Sequence, residues 1–357
     1  MNYKDLETPA LLIDLDLMDK NIKRMSDYFS TRSAKLRPHV KNHKTPIIAL
    51  KEIKAGAVGV AVAKLEEAEV MAWSGVDHIM IMNQIVTDEK IERLLSLSKH
   101  ARVIVAVDNP DNVSKLSSMA RSRGVTLDVV IEVDIGHHRA GVKPGADALA
   151  LAKKITSVGN LNFRGVGAYQ GHISLIIDPM ERKFEDEKAC EKLVSTKDLI
   201  EDSGIPGEIV SAGGTGTYNL TGNYRGITEV QAGSYLTMDV AYLDGGIDFD
   251  LAMSVLTTVS STPSEDRAIL DAGLKSITTN QGLPRVKGLE GIEITKLSAE
   301  HTHLSLGPNH TRVKLGDKIE VYPSDTDTTV NMHNQFYGIR DGEVEVVWPI
   351  LARGKSR

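Results

Sequence analysis

The sequence predicts an α/β protein, a TIM-type (β/α)8 barrel of parallel strands followed by a mainly β domain. Short apolar runs alternate with amphipathic helical patterns over the first two-thirds of the chain. Runs that are apolar throughout are typical of a parallel sheet buried on both faces. After about residue 241 the pattern changes to short β-rich runs between turns. We therefore place the barrel at residues 10–240, and the β domain at residues 241–357 together with residues 1–9.

The candidate barrel strands are each followed by a turn or by a helical pattern. A doubly wound open sheet is the alternative, but no strand is followed by a GxGxxG turn. In a barrel the active groups lie at the carboxyl ends of the strands. The predicted strands are Ala10–Asp16, Lys35–Lys41, Val58–Ala63, His78–Asn83, Arg102–Asp108, Leu127–Asp134, Phe163–Gln170 and Glu208–Gly214, and Thr228–Tyr235 closes the series.

The β-rich runs of the second domain are separated by Gly, Pro, Asn and Asp turns. Two of these segments, Gly316–Pro323 and Arg340–Pro349, have the pattern of antiparallel strands entered from tight turns. The remaining predicted strands are Val255–Ser260, Ala268–Asp271, Gly291–Leu297 and Thr302–Leu306.

Composition restricts the function classes. A net charge of −6 argues against nucleic acid or an anionic membrane as the main partner. The single cysteine, Cys190, excludes an internal disulfide and a cysteine zinc cluster, and indicates a reducing, cytoplasmic setting. The N-terminal residues lack the features of a signal peptide, and no stretch approaches the length of a membrane span. We expect a cytoplasmic protein with a small-molecule partner.

The segment RPHVKNHK, Arg37–Lys44, packs five basic side chains and a proline into eight positions. On a strand, His39, Lys41 and His43 would share one face. Clustered cations indicate an anion or an electrophile at this strand end. A lysine crowded by other cations has a lowered pKa, as a Schiff-base lysine requires. The alternative is a solvated basic strand end that binds any phosphate.

Polar and glycine-rich clusters follow the later strands. The segment VDIGHHRAG ends the sixth strand and AYQGH ends the seventh, while SAGGTGTY ends the eighth. In the last of these, Ser211, Thr215 and Thr217 with their neighbouring glycines offer hydroxyl and N–H groups to an anion. Phosphate groups in barrels commonly lie on the loops after the last two strands. Together with a crowded lysine, these turns indicate pyridoxal 5′-phosphate (PLP), with Lys41 binding its aldehyde.

The ordered motifs resemble the D-threonine aldolase and D-serine dehydratase family, whose N-terminal domain is similar to that of alanine racemase. The resemblance covers essentially the whole chain. It implies a PLP-binding, alanine-racemase-like (fold type III) barrel with a C-terminal β domain. The motifs are TPALLID (Thr8–Asp14), RPHVKNHK, VDIGHHRAGV, YQGH, GGTGTY, TEVQAGSY, DAGLK (Asp271–Lys275), SAEH (Ser298–His301) and PSDTD (Pro323–Asp327).

The resemblance also implies residue roles. Lys41 matches the Schiff-base lysine, and Arg139 matches an arginine near the phenolic oxygen of the cofactor. Tyr169 matches an aromatic residue beside the pyridine ring, and His172 a site histidine near the substrate hydroxyl. Gln231 matches the position that addresses the pyridine nitrogen, where a neutral side chain does not enforce protonation. The phosphate-binding positions are Gly214, Thr215, Gly216, Gly233, Ser234 and Tyr235.

The metal segment departs from the family pattern. Family members show Pro-x-His-x-Cys or Pro-x-His-x-Asp, and here Asp325 replaces the histidine while Asp327 occupies the fifth position. Two carboxylates at i and i+2 can share one side of an extended segment. Their oxygens favour Mn²⁺ or Mg²⁺ over Zn²⁺. The alternative is an Asp-rich turn without a metal.

These parts imply retro-aldol cleavage of a D-3-hydroxy-amino acid, such as D-threonine, to glycine and an aldehyde, with PLP and a divalent metal. A dehydratase of D-serine or D-3-hydroxyaspartate on the same scaffold is the alternative. An amino-acid racemase is disfavoured, since its two-base site needs a catalytic tyrosine from a partner domain, and none can be placed here. A non-catalytic PLP carrier is disfavoured by the appended β domain. The resemblance further implies a homodimer.

Overall fold

The computed structural model describes all 357 residues, which form two compact units. The larger unit, here called the barrel unit, comprises Met25–Lys41, Pro46–Gly233 and Lys355–Arg357. The other, here called the β unit, comprises Met1–Arg24, Asn42–Thr45 and Ser234–Gly354.

The strands are numbered in chain order. They are β1 (Ala10–Asp14), β2 (Lys35–Leu36), β3 (Val60–Val62), β4 (His78–Gln84), β5 (Arg102–Val107), β6 (Leu127–Glu132), β7 (Leu161–Gly167), β8 (Ile209–Ala212), β9 (Glu229–Val230), β10 (Met253–Ser264), β11 (Arg267–Leu270), β12 (Arg285–Val286), β13 (Ile292–Leu297), β14 (Thr302–Leu306), β15 (Lys318–Tyr322), β16 (Gln335–Arg340) and β17 (Glu343–Pro349).

The helices alternate with the strands in the first two-thirds of the chain, as predicted. The α-helices are α1 (Leu15–Ser30), α2 (Pro46–Lys54), α3 (Leu65–Trp73), α4 (Asp88–Leu97), α5 (Pro110–Ser122), α6 (Ala146–Ser157), α7 (Pro179–Asp202), α8 (Tyr218–Thr221), α9 (Val240–Asp244) and α10 (Thr326–Val330), and short 3₁₀ segments cover Tyr3–Asp5, Val40–Asn42 and Thr215–Thr217. None of the helices combines the length and the apolar character that crossing a membrane would need.

Eight parallel strands form the sheet of the barrel unit, in the order β2-β9-β8-β7-β6-β5-β4-β3. A β-bridge between His39 and Ala61, with a 2.8 Å hydrogen bond from the Ala61 N–H to the Pro38 carbonyl, links the two end strands. The predicted parallel barrel is therefore confirmed. Its interior contains an apolar cluster of Met80, Ile104, Ala106, Val130 and Ile209. Because all strands run the same way, their carboxyl ends lie at one edge.

The prediction that Ala10–Asp16 is the first barrel strand is wrong. In the structure β1 pairs antiparallel with β10 and parallel with β16, inside the β unit. The eighth barrel strand is β9, which pairs with β2 and β8. The reason is that β1 is a central strand of its sheet and is buried on both faces. Such a strand carries the same uninterrupted apolar pattern as a barrel strand.

The barrel strand predicted at Lys35–Lys41 is shorter than expected. Strand β2 covers only Lys35–Leu36, and Val40–Asn42 forms a 3₁₀ turn. Pro38 has no N–H for a strand ladder, which limits β pairing here. The prediction that His39, Lys41 and His43 share one strand face is therefore wrong, because the chain leaves the extended conformation.

The β unit holds a nine-stranded sheet, as a mainly β domain was predicted to do. Its main path is β13-β14-β11-β10-β1-β16-β17, with β15 pairing β10 and β12. Strand β17, predicted to be an antiparallel strand entered from a tight turn, forms a hairpin with β16 around Asp341–Gly342, whose φ values of 49° and 78° are typical of a primed turn. An apolar cluster joins Leu12 of β1 and Leu256 of β10 to Leu6.

Candidate active site

Aromatic and basic side chains meet at the carboxyl ends of β6 and β7 in the barrel unit. The guanidinium carbon of Arg139 lies 5.4 Å from the centre of the Tyr169 ring, and the His137 ring lies edge-on to the same tyrosine at 5.3 Å. The structure therefore brings together Arg139 and Tyr169, two residues predicted from separate motifs. His137 was not selected from the sequence, although it lies in the VDIGHHRAG motif.

The predicted base His172 stacks on His137, with ring centres 6.0 Å apart. Partial burial lowers the pKa of His172, and the nearby His137 and Lys192 lower it further. Burial lowers the pKa of His137 too, and Arg139 acts in the same direction. Both imidazoles are therefore neutral at neutral pH, so each can accept a proton.

Glu132, the last residue of β6, is a buried carboxylate that the sequence interpretation missed. It accepts a 2.5 Å hydrogen bond from Gln84 Nε2, and its Oε1 lies 3.7 Å from Arg139 Nη2. Burial raises the pKa of Glu132, and the hydrogen bond from Gln84 and the charge of Arg139 only partly offset this. Glu132 lies two residues after Val130 on the same strand, so its side chain points to the same interior face as Val130. This spacing, at the end of a strand, is the signal that could have identified it.

The glycine turn after β8 lies beside the Tyr169 ring. A Cβ on Gly214 would lie 3.6 Å from Tyr169 Cε2, whereas one on Gly216 would collide with the Ser174 carbonyl oxygen. Thr215–Thr217 begins a helical segment, and the first amides of a helix have no intrahelical acceptor. Buried Thr215 and Gly216 lie in this segment, and backbone amides at such a position can bind an anion.

Strand β9 and the RPHVKNHK segment bring further predicted residues to the same edge. Gln231 Nε2 donates to Ser211 Oγ at 2.9 Å, and both side chains are buried. A Cβ on Gly233 would collide with the His39 carbonyl oxygen, so only glycine allows this close approach. Lys41 is half-buried, and its backbone N–H donates to His39 Nδ1 at 3.4 Å.

The predicted metal pair lies in the β unit. Asp325 is the N-cap of α10, where its Oδ1 accepts from the Thr328 N–H at 3.2 Å. Its Oδ2 accepts from Asn280 Nδ2 at 2.7 Å. Asp327 lies inside the first turn of α10, and its Oδ1 accepts from Asn42 Nδ2 at 3.1 Å. The expected extended segment is therefore wrong, since the chain enters a helix at Thr326.

A third carboxylate, Asp239, belongs to the same region of the β unit and was missed from the sequence. Its Oδ1 accepts from the Tyr242 N–H at 3.0 Å and caps α9. Burial raises the pKa of Asp239 to about 7, with the charges of Asp327 and Asp325 adding to the effect. These interactions show that the three carboxyl groups are close. The structure contains no group of three or more His, Cys, Asp or Glu side chains arranged to hold a metal ion.

Two further residues predicted to bind phosphate, Ser234 and Tyr235, also lie in the β unit. Ser234 Oγ lies 3.5 Å from Asp327 Oδ1. The Tyr235 side chain is fully buried, and its ring packs against Phe249 with centres 5.7 Å apart.

Comparison with known proteins agrees with this architecture. Residues 13–240 match the family profile described as "Alanine racemase, N-terminal domain", and residues 252–339 match "Putative serine dehydratase domain". A D-threonine aldolase of an Arthrobacter species is 37% identical over 99% of this chain and 94% of its own length. The chain belongs to the D-threonine aldolase and D-serine dehydratase family.

Other family members cover the chain equally fully. The 3-hydroxy-D-aspartate aldolase of Paracoccus denitrificans (strain Pd 1222) is 35% identical over 100% of this chain and 94% of its own length. The crystal structure of D-threonine aldolase from Filomicrobium marinum superimposes with a TM-score of 0.96 at 35% identity, covering 100% of this chain and 98% of that one. The D-threo-3-hydroxyaspartate dehydratase of Delftia sp. (strain HT23) is more distant, at 28% identity over 89% of this chain and 90% of its own length.

Proposed function

We propose that this chain is a lyase that cleaves a D-3-hydroxy-amino acid of the D-threonine type to glycine and an aldehyde, using PLP and a divalent metal. The observation that carries the proposal is the full-length similarity to two aldolases at 35–37% identity, against 28% for the dehydratase. Retro-aldol cleavage is therefore favoured over dehydration.

The residues of the barrel unit fit PLP. The glycine turn lies beside the Tyr169 ring, which suits a phosphate attached to an aromatic ring. Lys41 would bind the aldehyde through Nζ, and Arg139 would face the phenolic oxygen. Gln231 would address the pyridine nitrogen without a charge. When bound, PLP supplies an electron sink for negative charge at the substrate Cα.

The phosphate positions are assigned as a set. We propose that the backbone amides of the glycine turn bind the phosphate and that the serine hydroxyls and the second glycine turn assist. The residues in this set are Ser211, Gly214, Thr215, Gly216, Gly233, Ser234 and Tyr235.

The carboxylates of the β unit fit a hard cation. Asp325 and Asp327 supply oxygen donors only, and Mg²⁺ and Mn²⁺ are commonly held by one or two carboxylates with water or substrate oxygens completing the shell. We assign these two residues as the protein ligands and prefer Mn²⁺ or Mg²⁺ to Zn²⁺. When bound, the ion supplies a lowered pKa for the β-hydroxyl of the substrate.

His172 is assigned as the base. Its lowered pKa keeps the imidazole neutral at neutral pH, so it can accept the proton of the substrate hydroxyl. As that proton leaves, the Cα–Cβ bond breaks, Cβ becomes the carbonyl carbon of the aldehyde, and Cα takes a proton to give glycine. Arg139 and Tyr169, which lie against each other, would hold the cofactor in place while the bond breaks.

Dehydration is the second candidate, because the β unit matches the profile of a serine dehydratase domain. In that reaction a base removes the proton on Cα, and the hydroxyl leaves Cβ as hydroxide. The same side chains serve both reactions, and the orientation of the substrate about Cα determines which bond breaks.

Product analysis tests the proposal. Purified protein loaded with PLP and Mn²⁺ is incubated with D-threonine, D-serine and D-3-hydroxyaspartate, with EDTA-treated samples as controls. We expect acetaldehyde and glycine from D-threonine. Ammonia and 2-oxobutanoate would transfer the assignment to the dehydratase. A visible cofactor absorption without either product pair would indicate a PLP carrier.

We also propose that the enzyme is a homodimer in the cytoplasm. The free, buried Cys190 is consistent with a reducing compartment. Light scattering coupled to size-exclusion chromatography measures the oligomeric state, and a mass of one chain would contradict the dimer.

A further inference from the structure

A buried carboxylate outside the assigned residues, Asp186 of α7, contacts both loops that carry the proposed cofactor site. Its Oδ1 accepts hydrogen bonds from Gln170 Nε2 at 2.8 Å and from Thr221 Oγ1 at 2.7 Å. The thiol of Cys190 donates to Oδ2 at 3.6 Å. Asp186 is 1% exposed, so these three donors replace water. A buried carboxylate is costly unless such donors surround it, which argues for a specific role.

The first arm of this network reaches the loop after β7. Gln170 lies between Tyr169 and His172 in the chain, and it is fully buried. Its carbonyl oxygen accepts the N–H of Ile173 at 2.9 Å and the hydroxyl of Ser174 at 3.2 Å. Asp186 therefore fixes the side chain of Gln170, and the backbone carbonyl of Gln170 in turn stabilises the turn that follows it in this loop.

The second arm reaches the glycine turn after β8. Thr221 donates to Asp186 and lies 3.0 Å from Thr217 Oγ1, whose hydroxyl can donate back to it. The Thr221 side chain also lies about 3.1 Å from the place where a Cβ on Gly213 would lie. Gly213 has a φ of 81°, a left-handed conformation that favours glycine. The turn is thus shaped around Thr221, which Asp186 orients.

We propose that Asp186 is a positioning residue: it fixes the glycine turn relative to the Tyr169 loop so that the turn binds the phosphate of the cofactor. This inference rests on the proposed function. Asp186 touches neither the cofactor position nor the substrate, and it acts through Gln170, Thr221 and Thr217. Burial raises the pKa of Asp186 to about 6, so the group is mainly ionised at neutral pH and accepts from all its donors.

The test compares the affinity of the apo-protein for PLP with that for pyridoxal, which lacks the phosphate. Removing a buried acceptor leaves Gln170 and Thr221 without their partner. In Asp186→Ala we expect the affinity for PLP divided by the affinity for pyridoxal to fall by about tenfold or more. Asp186→Asn keeps an oxygen for both donors and should restore the ratio to within about threefold of wild type.

Two other variants keep the test decisive. Thr221→Val removes the hydrogen bonds from Thr221 to Asp186 and Thr217, together with a 3.4 Å contact to Gln170 Oε1. It should lower the ratio as Asp186→Ala does, and it replaces Asp186→Ala in the test if that variant does not fold. Thr196→Ala is the matched control, since Thr196 is buried on the same helix but accepts from the Gly145 N–H instead. It should leave the ratio unchanged.

The outcomes separate this inference from the proposed function. A wild-type protein that binds no PLP contradicts the proposed function. A wild type that binds PLP, with unchanged affinity ratios in Asp186→Ala and Thr221→Val, overturns the inference alone. Equal losses for PLP and pyridoxal in both variants would also overturn it, because the phosphate would then not be the group affected.

Discussion

The imidazole rings of His137 and His172 stack nearly parallel, 19° apart in plane and 6.0 Å apart in centre. The two rings come from different strand ends, and a Cβ on Gly136 would lie only 3.0 Å from His172 Nε2. Each protonated ring would raise the cost of protonating the other. Burial lowers the pKa of His172 most, and the stacked His137 adds to this effect, so His172 stays in the neutral form that a general base needs.

This arrangement predicts the pH dependence of the reaction. Because the pKa of His172 is lowered, kcat/KM should have an acidic limb, a range in which it rises with pH, whose midpoint lies below the ordinary histidine pKa of about 6.5. In His172→Gln we expect a loss of about 100-fold or more and the disappearance of that acidic limb. His100→Gln, an exposed histidine of the same unit, is the control. If the acidic limb of the kcat/KM profile is unchanged in His172→Gln, His172 is not the base.

The stacking itself can be tested by substitution of the partner ring. In His137→Gln the neighbouring ring can no longer become positively charged in the acidic range, so the pKa of His172 should rise toward its ordinary value. The acidic limb of kcat/KM should then move to higher pH, whatever the effect on the maximal rate. A limb that stays in place or moves to lower pH would show that His137 does not influence the base.

Glu132 is predicted to hold Arg139 in place. Glu132→Gln preserves the shape of the side chain but removes the charge that faces the guanidinium at 3.7 Å. We expect kcat to fall by about tenfold and the absorption of the bound cofactor to shift. Glu208→Gln, which breaks an arginine–glutamate pair with Arg164 just before β8, is the matched control. Equal kcat values and equal cofactor absorption in Glu132→Gln and Glu208→Gln would contradict the role of Glu132.

The metal assignment is tested with variants that keep the helix cap. Asparagine caps helices as well as aspartate does, so Asp325→Asn should fold normally. We expect Asp325→Asn and Asp327→Asn to raise the Mn²⁺ concentration needed for half-maximal activity by about tenfold or more. Asp341→Asn, at an exposed turn position that asparagine tolerates, should not change it. Full wild-type activity after EDTA treatment would contradict the metal requirement.

A buried ion pair predicts a stability effect in the barrel unit. Arg37 is fully buried and binds Glu229 through two 2.7 Å hydrogen bonds, with Nη1 left unpartnered. Removing Glu229 would leave a buried charge, a change that typically costs about 3–5 kcal/mol. Glu229→Ala should therefore lower the thermal unfolding temperature of the apo-protein by several degrees, whereas Lys35→Ala, on the neighbouring strand β2, should not. Equal melting temperatures would contradict this estimate.

The sequence predicted much of the fold because the barrel strands are apolar throughout and the site motifs follow their carboxyl ends. It misplaced Ala10–Asp16, since a central strand of the mixed sheet is buried on both faces as well. It treated Asp325–Asp327 as extended because the five-residue helix that follows is too short to show periodicity.

Isolated buried acids were the main omission at the site. Asp186 lies in the charged run EDEK, which has the pattern of a solvated helix face. Its spacing with Ala189, Cys190 and Leu193, at i+3, i+4 and i+7, places it on the buried face. Glu132 and Asp239 lie at element ends where acidic residues are ordinary, so only their burial in the structure distinguishes them.

The central claim is that the bond broken is Cα–Cβ, and one measurement tests it most directly. D-threonine is turned over in D₂O by the PLP- and Mn²⁺-loaded protein, and the products are analysed by mass spectrometry. We predict equimolar acetaldehyde and glycine, with the glycine carrying one solvent deuterium on Cα. Ammonia with 2-oxobutanoate deuterated at C3, or deuterium in recovered threonine without cleavage, would contradict the account.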